Sequence, residues 1–382
     1  MRESLCTGAY PFVDLRCWIS NCCLALLATI FSAAFVTRLL PAQDSAQDSA
    51  QDSSQDSSQD SPTEQVSPTG REEAAWDMVE LIELTSKHEV WTPPRTLQLL
   101  GEIKRFESEQ LDLIDRDGSQ RTVLSKTVVR VVPRWRTAEA SHAHQLYADG
   151  KFDELLQAVP AALKSNLVPW QQRILIGELV QTIEGLGKPR VAGAYFLTLA
   201  ESKPPPMLYA SMPLCWTARE PDQALRDEAS KWLAKKDDDA ARLLGASWLL
   251  FTDEQAAAQQ TLMQLQGSSN AVIAQLAVAQ GWRRVPPPKT MADLHRWFEF
   301  RDKLLPPLQV GPTEFIADRL QRVGQIDLAI GEWSRVGSQY ADQPLRAQQA
   351  LGHAAAQLKL LGRDEEAQRF ETWMKELQKQ PR

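Results

Sequence analysis

The residues best suited to catalysis or metal binding are few and scattered. Five histidines occur, His88, His142, His144, His295 and His353, and Cys215 is the one cysteine beyond the N-terminal group Cys6, Cys17, Cys22 and Cys23. His142 and His144 stand two apart near a helix start, so they do not share a helical face and read as solvent-facing rather than as a metal pair. Cys215, in "LCWTARE", reads as a small core residue rather than a nucleophile. Asp115, Asp117 and Gly118 imitate the opening of a calcium loop, but the later ligands and the closing Glu are missing. "GLGKPR" at 185–190 has the wrong spacing for a phosphate-binding loop, and Pro189 blocks the helix start such a loop needs. No G-x-G-x-x-G follows a strand, and "GASWL" at 245–249 lacks the final Gly of a nucleophile elbow. No catalytic, cofactor-binding or metal-ligating residue is therefore assigned. The expectation is a non-enzymatic chain with no cofactor and no small-molecule substrate.

Elements able to position any site must come from an apolar core. The chain has 382 residues, 43% hydrophobic and 24% charged, with a formal net charge of -7. That balance excludes a nucleic-acid partner, which would need clustered Lys and Arg. The short basic pairs Lys235-Lys236 and Arg283-Arg284 read as solvated helix ends. With Cys215 alone in the body, no internal disulfide or cysteine zinc site can form there.

At the N-terminus, 21 uncharged residues lie between Arg16 and Arg38, close to the ~20 that a membrane span requires. Residues 1–42 read as an uncleaved signal anchor or a cleaved signal peptide, the anchor being the better fit to the long leader and the length of the run. In either case Arg2 and Arg16 favour a cytoplasmic N-terminus and an exported body. Five Gln-Asp-Ser copies follow at four-residue spacing between Ala42 and Pro62. On a helix, Asp44, Asp48, Asp52, Asp56 and Asp60 would stack as like charges, and no apolar residue offers a face to bury. Residues 43–70 are expected to be a disordered, solvated linker.

Residues 71–136 change character. "LDLID" alternates, Asp117-Gly118 signals a hairpin, and Val128, Val129, Val131 and Val132 favour a strand. "WDMVELIEL" fits a strand or a helix. Four or five short strands in this span predict a small antiparallel β module. Its strand spacing, with a Gly-containing strand and the final "VVRVVP", resembles SH3-like or Sm-like barrels.

From residue 137 to 382 the chain reads as successive helices. One spacing recurs: Leu146, Gly150 and Leu155; Ile183, Gly187 and Ala192; Leu320, Gly324 and Ala329; Leu358, Gly362 and Ala367. A looser copy, Leu249, Asp253 and Ala258, replaces Gly with Asp. The apolar residue closes one helix, Gly ends it in the left-handed conformation, and the next helix starts at once. Gly150 to Gly187 is 37 residues and Gly324 to Gly362 is 38. Phe196 and Trp333 each stand nine residues after their Gly. This pattern resembles a divergent tetratricopeptide-repeat array, although Glu371 occupies the large-residue place in the last copy. Pro204–Pro206 and Pro286–Pro288 are expected breaks in it.

The fold class expected is mainly α: a tetratricopeptide-like helical-repeat solenoid behind a small antiparallel β module, a disordered linker and an N-terminal apolar helix. The resemblance implies a concave groove and one or more protein partners. The function expected is that of an exported, membrane-tethered scaffold for protein–protein interactions at the cell envelope. The alternative is a carbohydrate- or cell-wall-binding module, motivated by the twelve Trp residues. Most of those Trp residues are expected to fill gaps between helices.

Overall fold

The computed structural model describes residues 76–83, 95–217, 219–286, 291–340 and 342–377. The apolar run, the Gln-Asp-Ser tract and most of the Pro286–Pro288 run lie outside them. Among the described residues no helix is long and apolar enough to cross a membrane. The fold is mainly helical with one small antiparallel sheet.

Five strands make the sheet: β1 (Asp77–Ile82), β2 (Thr96–Phe106), β3 (Gln110–Asp115), β4 (Gln120–Leu124) and β5 (Val128–Val132). Their order is β4-β3-β2-β1-β5, so the chain runs as a meander and then returns β5 to the free side of β1. A 3-10 turn at Ser125–Thr127 makes that return. The first segment, open between strand and helix in the sequence, is a strand because its burial alternates: Val79 and Leu81 face inward while Met78 and Glu80 do not. Leu111 and Leu113 of β3 and Phe106 and Ile103 of β2 complete that inner face. Gly101 sits where β2 crosses β3 so closely that a Cβ would strike the Ile114 carbonyl. This explains the glycine inside a strand pattern.

Thirteen α-helices follow among the described residues. They are α1 (Ala138–Ala148), α2 (Phe152–Lys164), α3 (Pro169–Gly185), α4 (Pro189–Glu201), α5 (Gln223–Leu233), α6 (Asp239–Leu249) and α7 (Gln255–Leu265). After these come α8 (Ala271–Gly281), α9 (Met291–Asp302), α10 (Val310–Arg322), α11 (Ile326–Gln339), α12 (Pro344–Leu360) and α13 (Asp364–Leu377). Sequence neighbours pack as hairpins: α1 on α2, α3 on α4, α5 on α6, α10 on α11, α12 on α13.

The four glycines of the recurrent spacing adopt left-handed backbone, with φ of 70°, 75°, 80° and 71° at Gly150, Gly187, Gly324 and Gly362. At each, the amide after the glycine donates to the apolar residue named in the pattern. Lys151 donates to Leu146 (2.9 Å), Lys188 to Ile183 (3.1 Å), Gln325 to Leu320 (2.9 Å) and Arg363 to Leu358 (2.9 Å). These are Schellman closures, which satisfy helix-end carbonyls that would otherwise lack partners. The Asp253 copy departs from the expectation. Its φ is not positive, and the chain there turns through Thr252 and Gln255 amides instead, because a Cβ makes the left-handed state costly. Phe196 and Trp333 are fully or nearly fully buried. Glu371 in the last copy stays on the surface side, paired with Lys359 at 2.5 Å.

Hydrogen bonds join sheet and helices. The buried Asp77 carboxylate accepts from the Ile103 amide (2.8 Å) and from the Arg134 amide (2.7 Å), fixing both ends of the sheet's return. The Arg134 carbonyl then accepts from Gln171 of α3 (2.8 Å), and Arg173 donates to the Phe106 carbonyl (2.9 Å). The concave groove of an open stack is not what these helices leave. In such a stack each repeat touches only its neighbours. Here α12 comes back to α3, and the 3-10 segments Pro206–Ser211 and Pro306–Gln309 meet beneath β5.

Candidate functional site

A concavity of about 100 Å³ lies where this closure leaves space, between β5, α1, α3, the 206–211 segment and residues 342–344. Its polar wall comes from two helices. His144 of α1 meets Glu178 of α3, Nδ1 to Oε1, at 2.7 Å. Burial pushes the His144 pKa down, but the Glu178 charge and hydrogen bond outweigh that and raise it. The Trp135 ring lies 5.4 Å from the imidazole. Tyr147 donates to Gln181 and, at 3.3 Å, to the Asp342 carbonyl. Glu178 Oε2 and Thr182 Oγ1, one turn apart on α3, are buried without a partner among the described residues. The His144–Glu178 couple could hold or move a proton. The cleft's hydroxyl at Ser211 is buried and donates to the Leu208 carbonyl at 2.8 Å, so it is not set up as a nucleophile.

The expectation that both His142 and His144 face solvent holds for His142 alone. His144 is drawn inward by a partner 34 residues away, a distance that only helix packing closes. His353 stacks on Trp333 with ring centroids 5.6 Å apart. His88 lies outside the described residues. No group of three or more His, Cys, Asp or Glu able to hold a metal occurs among the described residues. Asp115 and Asp117 serve the hairpin: Asp117 accepts from the Ser119 amide (2.9 Å) and Asp115 pairs with Arg121 (2.8 Å).

Cys215 is 3% exposed, and burial pushes its thiol pKa up, although the Arg283 charge opposes the shift. Arg283, expected at a solvated helix end, is itself 3% exposed. It donates to the Ser247 carbonyl (2.7 Å), Gln280 Oε1 (2.9 Å), the Cys215 sulfur (3.3 Å) and the Thr217 carbonyl (3.3 Å). Lys235 and Lys236 are exposed as expected.

A second charged cluster joins distant helices. Arg346 of α12 lies between Glu184 of α3 (3.4 Å) and Glu314 of α10 (3.6 Å). Burial raises the Glu314 pKa to about 7, more than Arg346 lowers it. Sequence reasoning missed this cluster, since three common residue types at unrelated spacing leave no signal.

Most Trp residues fill gaps. Trp170, Trp216, Trp232, Trp248, Trp282, Trp297 and Trp333 are buried, and only Trp76 among the described ones exposes more than a third of its surface. No family model, curated protein or solved structure matches the chain.

Proposed function

We propose that this chain is a non-enzymatic scaffold whose divergent tetratricopeptide-like array binds protein partners. We further propose that it acts at the cell envelope, exported and tethered by its N-terminal segment. One observation carries the reading of the array: four helix ends with the same left-handed glycine and the same hydrogen bond back to an apolar residue. Hairpins built to one geometry and set side by side are how helical repeats present surface to a partner. The strand order β4-β3-β2-β1-β5, with a 3-10 turn before β5, supports the SH3-like resemblance of the small sheet. Export and tethering rest on the apolar run and the Gln-Asp-Ser tract behind it. The carbohydrate alternative has no comparable support, since the Trp residues that motivated it are mostly spent on packing.

The test is crosslinking of the tagged full chain in its source cell, with mass spectrometry and sugar analysis of what is recovered. The expected result is one protein at near-equal stoichiometry, crosslinked to residues of the array. Recovery of wall polymer without such a protein would favour the alternative. Turnover of a substrate by the purified chain would overturn the non-enzymatic reading.

A further inference from the structure

Arg301, Arg346 and Arg283 carry their charges deep in this protein, and the first two are balanced. Arg301 pairs with Glu332 and, at 2.9 Å, with Asp302. Arg346 has Glu184 and Glu314. Arg283 has no carboxylate within ion-pair distance among the described residues, only two carbonyls, an amide oxygen and a thiol. Those take up the N–H bonds of its two terminal nitrogens but place no carboxylate against its charge, and a guanidinium does not escape by deprotonation.

That charge stands at the back of a small cleft. Its lining is Trp216, Thr217, Phe251, Phe315, Asp318, Arg319 and Arg322, with Arg283 at the base and room for about 20 Å³. That space holds about one water-sized polar group, so one oxygen of a ligand can enter while the rest of it lies at the mouth. Arg319 donates to the Arg283 carbonyl at 2.9 Å, which fixes its guanidinium beside the opening. Arg284 lies over the Phe251 ring at 5.7 Å and Arg283 over the same ring at 5.1 Å. Arg283, Arg319 and Arg322 thus line the cleft with Asp318 as the opposing charge, on a chain whose formal net charge is -7. The walls beside the cations are aromatic, and Phe251 is 39% exposed at the rim.

We propose that this cleft is a binding site for a carboxylate carried on an apolar stem. The two oxygens would lie between Arg319 and Arg322, with the fixed charge of Arg283 behind them. The apolar stem would rest on Phe251. A planar two-oxygen anion matches the guanidinium fork, and the aromatic walls disfavour a fully hydrated anion such as phosphate. Such a carboxylate could belong to a free acid or to the C-terminal residue of a peptide. The site stands apart from the scaffold reading, because the free-acid source needs no protein partner.

The experiment is calorimetric titration of the full chain at low salt with N-acetyl-leucine, its carboxamide, inorganic phosphate and a hexapeptide ending in a free Leu. The acid should bind at one equivalent and the carboxamide at least about tenfold more weakly, since it lacks the charge that the guanidinium groups recognise. Arg322 is exposed, so Arg322→Gln should weaken the acid by about fivefold or more with the melting temperature unchanged. Phe251→Ala should weaken the acid as well. A hexapeptide bound more tightly than the acid assigns the source to chain ends; equal binding assigns it to free acids. Equal binding of acid and carboxamide, phosphate binding as tight as the acid, an unaffected Arg322→Gln, or no saturable heat from either acid or hexapeptide would each overturn the site. None of these results would bear on whether a crosslinked partner exists.

Discussion

At the residue scale, the charge groups that the helices bring together decide how this protein responds to pH. Glu314 retains 22% side-chain exposure, yet burial raises its pKa from 4.5 to about 7. A carboxyl whose folded pKa lies above its unfolded value holds a proton that the unfolded chain has released. Its contribution is fully present below about pH 4.5 and is lost as pH rises through about 7. Arg346 faces Glu314 from α12, Glu184 from α3, and Asp318 lies one turn along on α10. Glu184, Asp318 and His144 are raised too, so their contributions fall with pH in the same sense. The informative quantity is therefore the difference between the native chain and Glu314→Gln. Native stability should fall between pH 5 and 8 by on the order of 2 kcal/mol more than that of the variant. Urea unfolding at the two pH values checks this; parallel pH dependence would show that Glu314 is ionised throughout.

At the element scale, the helix ends are the best test of why this sequence folds as it does. Gly324 closes α10 at φ 80° with no atom near the place of a Cβ, so Gly324→Ala costs backbone strain alone, about 1 kcal/mol. Gly331 sits exposed inside α11, also with open space, so Gly331→Ala should stabilise by about 0.5–1 kcal/mol through lower unfolded-chain freedom. The two variants carry the same chemical change with opposite sign, read from the shift of the urea midpoint. A stabilised Gly324→Ala would mean that the left-handed turn is not what closes that helix. These ends were legible in the sequence because one residue type uniquely tolerates the conformation, and its apolar acceptor stands at a fixed distance. The sheet was legible through the alternation in "LDLID" and the valines of β5. Legibility failed where the signal is only statistical. Asp253 shares the spacing but not the backbone freedom, and Arg283 looks like any helix-end arginine until helix packing covers it. His144 and Glu178 are ordinary residues whose pairing exists only once α1 and α3 are packed.

At the scale of the whole molecule, the decisive contacts are those that no repeat pattern encodes. Tyr147 reaches the Asp342 carbonyl across 195 residues, and Arg346 reaches Glu184 across 162. Beside that ion pair, the end of the Leu345 side chain occupies the space that a side chain at Gly185 would need, so in this packing of α12 on α3 residue 185 has no room for a Cβ unless Leu345 moves. A nearest-neighbour stack and a closed body respond differently to crowding there. In a stack, damage at Gly185 propagates to α4 and fades. In a closed body it expels Leu345 and separates Arg346 from Glu184, leaving Glu184 and Glu314 buried without the cation that joins them. Gly185→Val should therefore accelerate amide exchange in α12 and α13 by about tenfold or more, equivalent to about 1.4 kcal/mol of local opening. Helices α5 to α8, which have no extended packing against α12 and no ion pair with Arg346, should keep their protection. Hydrogen exchange read by mass spectrometry on the full chain distinguishes the two. Changes confined to α3 and α4 would mean that the array behaves as a stack and that its two ends touch without holding each other. Faster exchange in α12 and α13 would mean that the small sheet, the first hairpins and the last ones form one body. Any partner surface would then have to be sought on the outside of that closure rather than within a groove.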